Sequence, residues 1–239
     1  MNTIKIDKKN TLLIAHRGLS GLERENTCAS FIAAGNRSYY GIETDVHLTK
    51  DNIFVISHDA NTKRVSPFNE EIKNLNYSDL IKIDYYDINS CLTKPYIKIP
   101  TLKEYLELCE KYEKHSVVEI KPVLKLSEIK KLLKEIESVR NLNNVTIIAF
   151  DLSNLLKVRK LNKDISVMYL ASKFEDKLIN ICKNNNFGID IHYGALNNET
   201  IKKFKDNGII INAWTVNDKE TGERLASLGV DFLTTNILE

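Results

Sequence analysis

From Leu12 onward, short apolar runs alternate with amphipathic helical runs, and this alternation limits the fold more than any other feature of the sequence. The strand-like runs read "TLLIAH", "GIETDVHL", "IFVISH", "SVVEIK", "VTIIAF", "ISVMYL", "FGIDIHY", "IIINAWTV" and "VDFLTT". Helical runs such as "TCASFIAAGNR", "TLKEYLELCEKYEK" and "DKETGERLASL" lie between most of them. Several helices carry their own boundaries. Thr101 and Glu104 have capping-box spacing, Asp151 is placed as an N-cap, and Gly208 and Gly229 end helices just before buried strands. Buried, β-branched strands joined through helices form a parallel sheet.

The nine strand candidates exceed by one the number in a closed (β/α)8 barrel. The surplus strand can be identified. Only "TKDN" separates "ETDVHL" from "IFVISHD". A parallel crossover needs roughly a dozen residues, so these two strands form an antiparallel hairpin. Eight strands then remain. The expected fold is a TIM (β/α)8 barrel with a small insertion after its second strand, at about residues 49–100. A length of 239 residues suits one such barrel, so residues 1–239 read as a single domain.

Charge and composition exclude other classes. Lys and Arg total 34 against 32 Asp and Glu, a formal charge of +2. No basic stripe marks a nucleic-acid partner, and the lysines from Lys125 to Lys134 read as the wet face of a helix. The first residues, "MNTIKIDKKNTLL", lack the apolar core and cleavage site of a signal peptide. No apolar run is long enough to span a bilayer, so stable membrane insertion is not expected. Cys28, Cys91, Cys109 and Cys182 are widely spaced, without a C-x-x-C pair, and are expected to be free thiols. A cytoplasmic location follows as the expectation. Oligomeric state has no signature here.

Chemistry gathers at the strand ends. The first strand stops at His16 and Arg17. Glu43 and Asp45 are two apart on one strand and share a face, as do Glu119 and Lys121 on the next barrel strand. Inward positions near strand C-termini form the active site of a TIM barrel. Three acids converging there repel, by about 4 kcal/mol for unit charges ~4 Å apart at an effective dielectric of ~20. Either protons stay on or a cation sits among them, and oxygen ligands favour Mg²⁺ or Ca²⁺. Taken alone, Glu43 and Asp45 fit strand-end salt bridges equally well.

The hairpin adds a second histidine. If Asp51 and Asn52 form a two-residue turn, Lys50 pairs with Ile53 and His58 lies opposite Asp45. A slip of one residue sets His58 opposite Glu43 or its neighbour. Two histidines suit general acid and base work near neutral pH, and Arg17 with Lys121 suits an anionic substrate oxygen. This set spells metal-assisted cleavage of a phosphoester. Other residues read as structural. His47 is expected to be a packing residue, Asp190 and His192 a hydrogen-bonded strand-end pair in preference to a lining of the mouth, and His115 plain surface at the barrel bottom. Phe150 either packs on substrate or caps the core.

The ordered set "AHRG", "ENT", "ETDVHLTKD", "VISHD", "VVEIKP", "NAWTVND" and "GVDFLTT" resembles the glycerophosphodiester phosphodiesterase family, from about Leu12 to Thr235. The resemblance implies a TIM barrel with an insertion after the second strand. It implies His16 and His58 as the acid–base pair, and Glu43, Asp45 and Glu119 as holders of one divalent cation. Arg17 would bind phosphate, Lys121 the phosphate or the polyol, and Trp214 would wall the glycerol. Glu25 and Asn26 would brace the phosphate side or the metal shell. The chain departs from the family at Arg24, where proline is common, at Asp51-Asn52 in place of Asp-Gly, and at Asn236 in place of aspartate.

The implied reaction is hydrolysis of a small glycerophosphodiester to an alcohol and sn-glycerol 3-phosphate. A lysophospholipase D-type or sphingomyelinase D-type phosphodiesterase is the enzymatic alternative. A polyol-phosphate-binding module without turnover is the other.

Overall fold

The computed structural model describes residues 2–239. Eleven strands run in chain order: β1 (Leu12–Ala15), β2 (Gly41–Leu48), β3 (Phe54–Ile56), β4 (Tyr85–Tyr86), β5 (Thr93–Lys94), β6 (His115–Ile120), β7 (Val145–Ala149), β8 (Ser166–Ala171), β9 (Gly188–His192), β10 (Ile211–Trp214) and β11 (Phe232–Thr235). The helices are α1 (Cys28–Gly35), α2 (Tyr77–Leu80), α3 (Leu102–Lys111), α4 (Leu126–Glu137), α5 (Leu152–Leu161), α6 (Lys177–Asn185), α7 (Asn198–Asp206) and α8 (Lys219–Ser227). Eight strands pair in parallel in the order β1-β11-β10-β9-β8-β7-β6-β2, and β1 pairs again with β2 to close the barrel. The ninth long candidate, β3, lies antiparallel on β2, as the short connection required. The fold is a TIM barrel with a small insertion after its second strand. No helix among the described residues is long and apolar enough to cross a membrane.

Local signals account for the elements. Thr101 accepts from Glu104 N at 3.2 Å while Glu104 Oε2 accepts from Thr101 N at 2.7 Å. Asp151 caps α5 through Ser153 N and Asn154 N. Gly208 and Gly229 follow α7 and α8 with φ of 67° and 80°. Strand parity sorts the core. Ile42 and Val46 of β2 point out under the helices in the main apolar cluster, while Glu43 and Asp45 point in. Inside the barrel Ile14, Val117, Ile148, Met168 and Leu170 form an apolar cluster, with Ile148 and Leu170 reaching the mouth. A third cluster, including Val55, Val65, Ile72 and Ile99, gives the insertion its own small core and shares Val55 with β3.

Two expectations change. The hairpin turn has three residues rather than two, because Thr49 N bonds Ile53 O at 3.0 Å and Asn52 takes φ of 62°. The register is Val46 with Ile56 and Leu48 with Phe54, one residue from that of a two-residue turn. Continued, this register would put His58 opposite Thr44, on the outward face. The ladder runs on to Ser57, whose N–H donates to Asp45 O at 3.0 Å, and the backbone then bends at His58, whose imidazole lines the mouth. His115 is also not plain surface. Its ring stacks on Tyr40 with centroids 5.1 Å apart, and its Nε2 lies 2.8 Å from Thr146 Oγ1. Burial, then the charge of Arg140, brings its pKa down to about 4.

Tyr105 locks α3 to the two acid-bearing strands. Its buried hydroxyl donates to Ile42 O at 2.6 Å and accepts from Val117 N at 3.0 Å. Tyr105→Phe leaves both backbone groups without this partner. A loss of roughly 1–3 kcal/mol is expected, read as a lower midpoint in urea denaturation.

Candidate active site

The loop after β1 is shaped by two consecutive left-handed residues, Arg17 at φ 54° and Gly18 at φ 74°. A Cβ on Gly18 would meet Ser30 Oγ at 2.3 Å and the Ser30 carbonyl carbon at 2.6 Å, so only glycine fits. The turn aims the Arg17 N–H at Glu43 Oε2, 2.8 Å away. Asn26, also left-handed at φ 55°, donates from its own N–H to Arg17 O. Its side chain donates to Asp45 Oδ2 at 2.8 Å and accepts from Thr44 Oγ1 at 2.9 Å. The "ENT" segment therefore braces the acids directly.

Glu43, Asp45 and Glu119 are buried, and each offers an oxygen within 4.8 Å of the others. Asp45 and Glu119 are register partners across β2 and β6. Two cations oppose them. Arg17 Nε is 3.5 Å from Asp45 Oδ2, and Lys121 Nζ is 3.4 Å from Asp45 Oδ1 and 2.9 Å from Glu119 Oε1. The three carboxyls divide unequally. Burial works to raise Asp45, but Lys121, Arg17 and His58 outweigh it and bring its pKa down to about 2. Burial and then the Asp45 charge push Glu119 up to about 7, and they hold Glu43 well above the usual carboxylate range. Asp45 Oδ1 is buried without a hydrogen-bond partner. A buried carboxylate oxygen without a hydrogen bond, beside two further carboxyl groups, is an all-oxygen donor set that fits a hard divalent cation.

Both histidines are held through Nδ1. His16 Nδ1 is 2.7 Å from Asn236 Oδ1, and Ser20 Oγ is 3.0 Å from that same oxygen. His58 Nδ1 is 2.7 Å from Asp59 Oδ1. Oxygen acceptors at Nδ1 keep that nitrogen protonated, which leaves Nε2 of a neutral ring as the base. Burial, reinforced by Arg17, brings His16 down to about 4. Burial also lowers His58, against the pull of Asp45. Asp59 continues to Arg64, whose Nε is 2.6 Å from Asp59 Oδ2. The Arg64 fork grips Glu25 at 2.7 and 2.9 Å, and Glu25 Oε1 accepts from Arg17 Nη1 at 2.9 Å.

These groups open onto one cavity at the C-terminal end of the barrel strands. His16, Arg17, Glu43, His58, Glu119 and Lys121 line one side, and Ile148, Phe150, Leu170 and Trp214 line the other. Phe150 stands edge-on to Trp214 with centroids 5.7 Å apart. Trp214 Nε1 donates to Asp190 O at 3.1 Å. A cavity half ionic and half aromatic suits an anion carrying a short carbon chain.

Of the ten residues singled out from the sequence, seven line this cavity. Asp45, Glu25 and Asn26 lie one contact behind it. His47 stays outside the lining, with Nε2 3.3 Å from His58 O. The expected Asp190–His192 pair does not form. Asp190 accepts from Asn212 Nδ2 at 2.9 Å and lines the cavity, while His192 Nδ1 accepts from Gly194 N. Residues two apart on a strand share a face, but each found a nearer partner. Sequence reasoning missed Asp59, Arg64 and Asn236 as partners of the site. Asp59 adjoins His58 and was findable as a possible orienting acid. Arg64 sits in irregular sequence with no period to locate it.

A model of the glycerophosphoryl diester phosphodiesterase family matches residues 16–239. A glycerophosphodiester phosphodiesterase of Caldanaerobacter subterraneus subsp. tengcongensis is 31% identical, over 95% of this chain and 94% of its own. A second enzyme of that name, from Bacillus subtilis, is 26% identical over 94% of this chain and 83% of its own. Among solved structures, an Oleispira antarctica phosphodiesterase in complex with its product sn-glycerol-3-phosphate superposes with a TM-score of 0.87 at 24% identity. It covers 97% of this chain and 95% of that one. The barrel, the cavity and these matches agree, and the chain belongs to the glycerophosphoryl diester phosphodiesterase family of enzymes.

Proposed function

We propose that this protein hydrolyses glycerophosphodiesters to an alcohol and sn-glycerol 3-phosphate, with His16 and His58 as the acid–base pair. One observation carries the reading. Two imidazoles anchored through Nδ1, two fixed cations and a buried acid cluster face the same cavity as an apolar wall. The names of the relatives and the product bound by the Oleispira enzyme support the substrate class. The unpaired cysteines support a reducing, cytoplasmic setting, and the chain is read as one catalytic domain.

In this reading Arg17 and Lys121 bind the phosphoryl oxygens, and the Arg17 fork orients them. One histidine takes the proton of the attacking oxygen, whether of water or of the substrate's glycerol. A new P–O bond forms, the bond to the leaving alcohol breaks, and the other histidine protonates the departing oxygen; where the glycerol hydroxyl is the attacker, water then opens the resulting cyclic phosphate to give glycerol 3-phosphate. Asn236 and Asp59 hold the two rings through Nδ1, which leaves Nε2 for the reaction, bare on the ring acting as base and protonated on the ring acting as acid. Trp214, with Phe150, excludes water along the carbon chain. Glu43, Asp45 and Glu119 would hold one divalent cation, Mg²⁺ or Ca²⁺, which supplies positive charge against the charge developing on phosphorus-bound oxygen. Asn26 and the Arg17 N–H orient two of those acids for it.

Release of glycerol 3-phosphate from glycerophosphocholine is expected. It should stop on chelation and return with Mg²⁺ or Ca²⁺. Choline released from lysolipid, with none from glycerophosphocholine, would overturn the substrate class. His16→Ala and His58→Ala should each lower kcat by about 10²-fold or more, and full activity in either would remove its role. Cation binding should also depend on pH. Protons held by Glu43 and Glu119 must leave for the ion to enter, so affinity should rise with pH through the Glu119 value of about 7. Titration calorimetry in buffers of different ionisation enthalpy should register proton release at pH 6.5 and less in Glu119→Gln.

A further inference from the structure

We infer that Arg64 is a positioning residue for the proposed reaction, a clamp from the insertion that fixes His58 and Arg17 relative to each other. The inference rests on the functional reading above and adds to it a residue that touches neither substrate nor acid cluster.

The geometry is a continuous chain of charged contacts. His58 Nδ1 meets Asp59 Oδ1 at 2.7 Å, and Asp59 Oδ2 meets Arg64 Nε at 2.6 Å. Arg64 Nη1 and Nη2 hold Glu25 Oε2 and Oε1 at 2.7 and 2.9 Å. Glu25 Oε1 accepts in turn from Arg17 Nη1 at 2.9 Å, and Arg17 Nε reaches Asp45. Each carboxylate therefore faces Arg64 on one side and a reactive group on the other. His58 follows the hairpin and Arg17 follows β1, so no short stretch of chain sets their separation. Arg64 spans the gap between their partners.

Arg64 is 43% exposed at its side chain. Exposed ion pairs contribute little to folding, so a mere surface staple would leave stability almost unchanged on removal and catalysis untouched. A clamp leaves stability almost unchanged and lowers catalysis, because misplacement by about 1 Å costs up to ~10²-fold in rate. The planar fork is essential to this role. It serves two carboxylates at fixed angles, whereas a lysine ammonium presents one point charge.

The test compares Arg64→Ala and Arg64→Lys with wild type in the full chain, loaded with the activating cation. Expected for Arg64→Ala is a fall in kcat/KM for glycerophosphocholine of about 10-fold or more, with the thermal midpoint within a few degrees of wild type. Arg64→Lys should recover only part of the loss, and sub-denaturing guanidinium should partly rescue Arg64→Ala. Calorimetric binding of glycerol 3-phosphate should weaken too, which reports the Arg17 arm without turnover. In a Glu25→Gln/Asp59→Asn background, Arg64→Ala should add no further loss. Wild-type kinetics in Arg64→Ala would overturn the inference. So would a loss that matches the unfolded fraction, or one that persists in full in the double-variant background. If wild type neither turns over glycerophosphocholine nor binds glycerol 3-phosphate, the functional reading itself fails and the clamp falls with it.

Discussion

Three carboxyl groups converge in the buried mouth of the barrel, and their mutual repulsion is the constraint around which the site is built. Glu43, Asp45 and Glu119 share a space of less than 5 Å, where solvent cannot screen them. The chain answers with Arg17, Lys121, the Arg17 N–H and the Asn26 amide, all aimed at these oxygens. Burial and the Asp45 charge hold Glu43 and Glu119 above the usual carboxylate range, which eases the repulsion further. The same features explain backbone that would otherwise look costly. Left-handed Arg17 and Asn26, with Gly18 pressed against Ser30, are the conformations that turn the loop back onto the acids.

The two histidines are placed alike and surrounded differently. Each is anchored through Nδ1 and presents Nε2 to the cavity. His16 leans on a neutral amide and His58 on a carboxylate that is itself shared with Arg64. An amide cannot stabilise an imidazolium as a carboxylate does, so the two rings hold a proton to different extents. Environments that separate two titratable groups are the usual means of dividing acid from base work.

The insertion ties these features together. It has its own apolar core, shared through Val55 with β3, so the hairpin is buried on two sides. From that end it delivers His58 and Asp59, and a few residues later Arg64. A barrel strand could deliver only residues of its own inward face. The insertion reaches the loop after the neighbouring strand β1 through Arg64 and Glu25.

Much of this was legible in the sequence, because the relevant rules are local. Strand–helix alternation and a four-residue connection specify eight parallel strands and one hairpin, since a short link cannot cross over. Period-two parity puts Glu43 with Asp45 and Glu119 with Lys121 on inward faces. What stayed hidden was decided by side chains far apart in sequence that chose partners in space. Asp190 passed over His192 for Asn212, and His115 found Tyr40 and Thr146 across the barrel bottom. The hairpin register turned on one extra turn residue, and His58 reached the mouth through the bend that follows Ser57. Arg64 meets Glu25 across 39 positions of chain. Backbone periodicity is written in the order of residues and determines the barrel and its inward acids. The long reach of an arginine fork depends on how loops pack, and only the tertiary structure decides it.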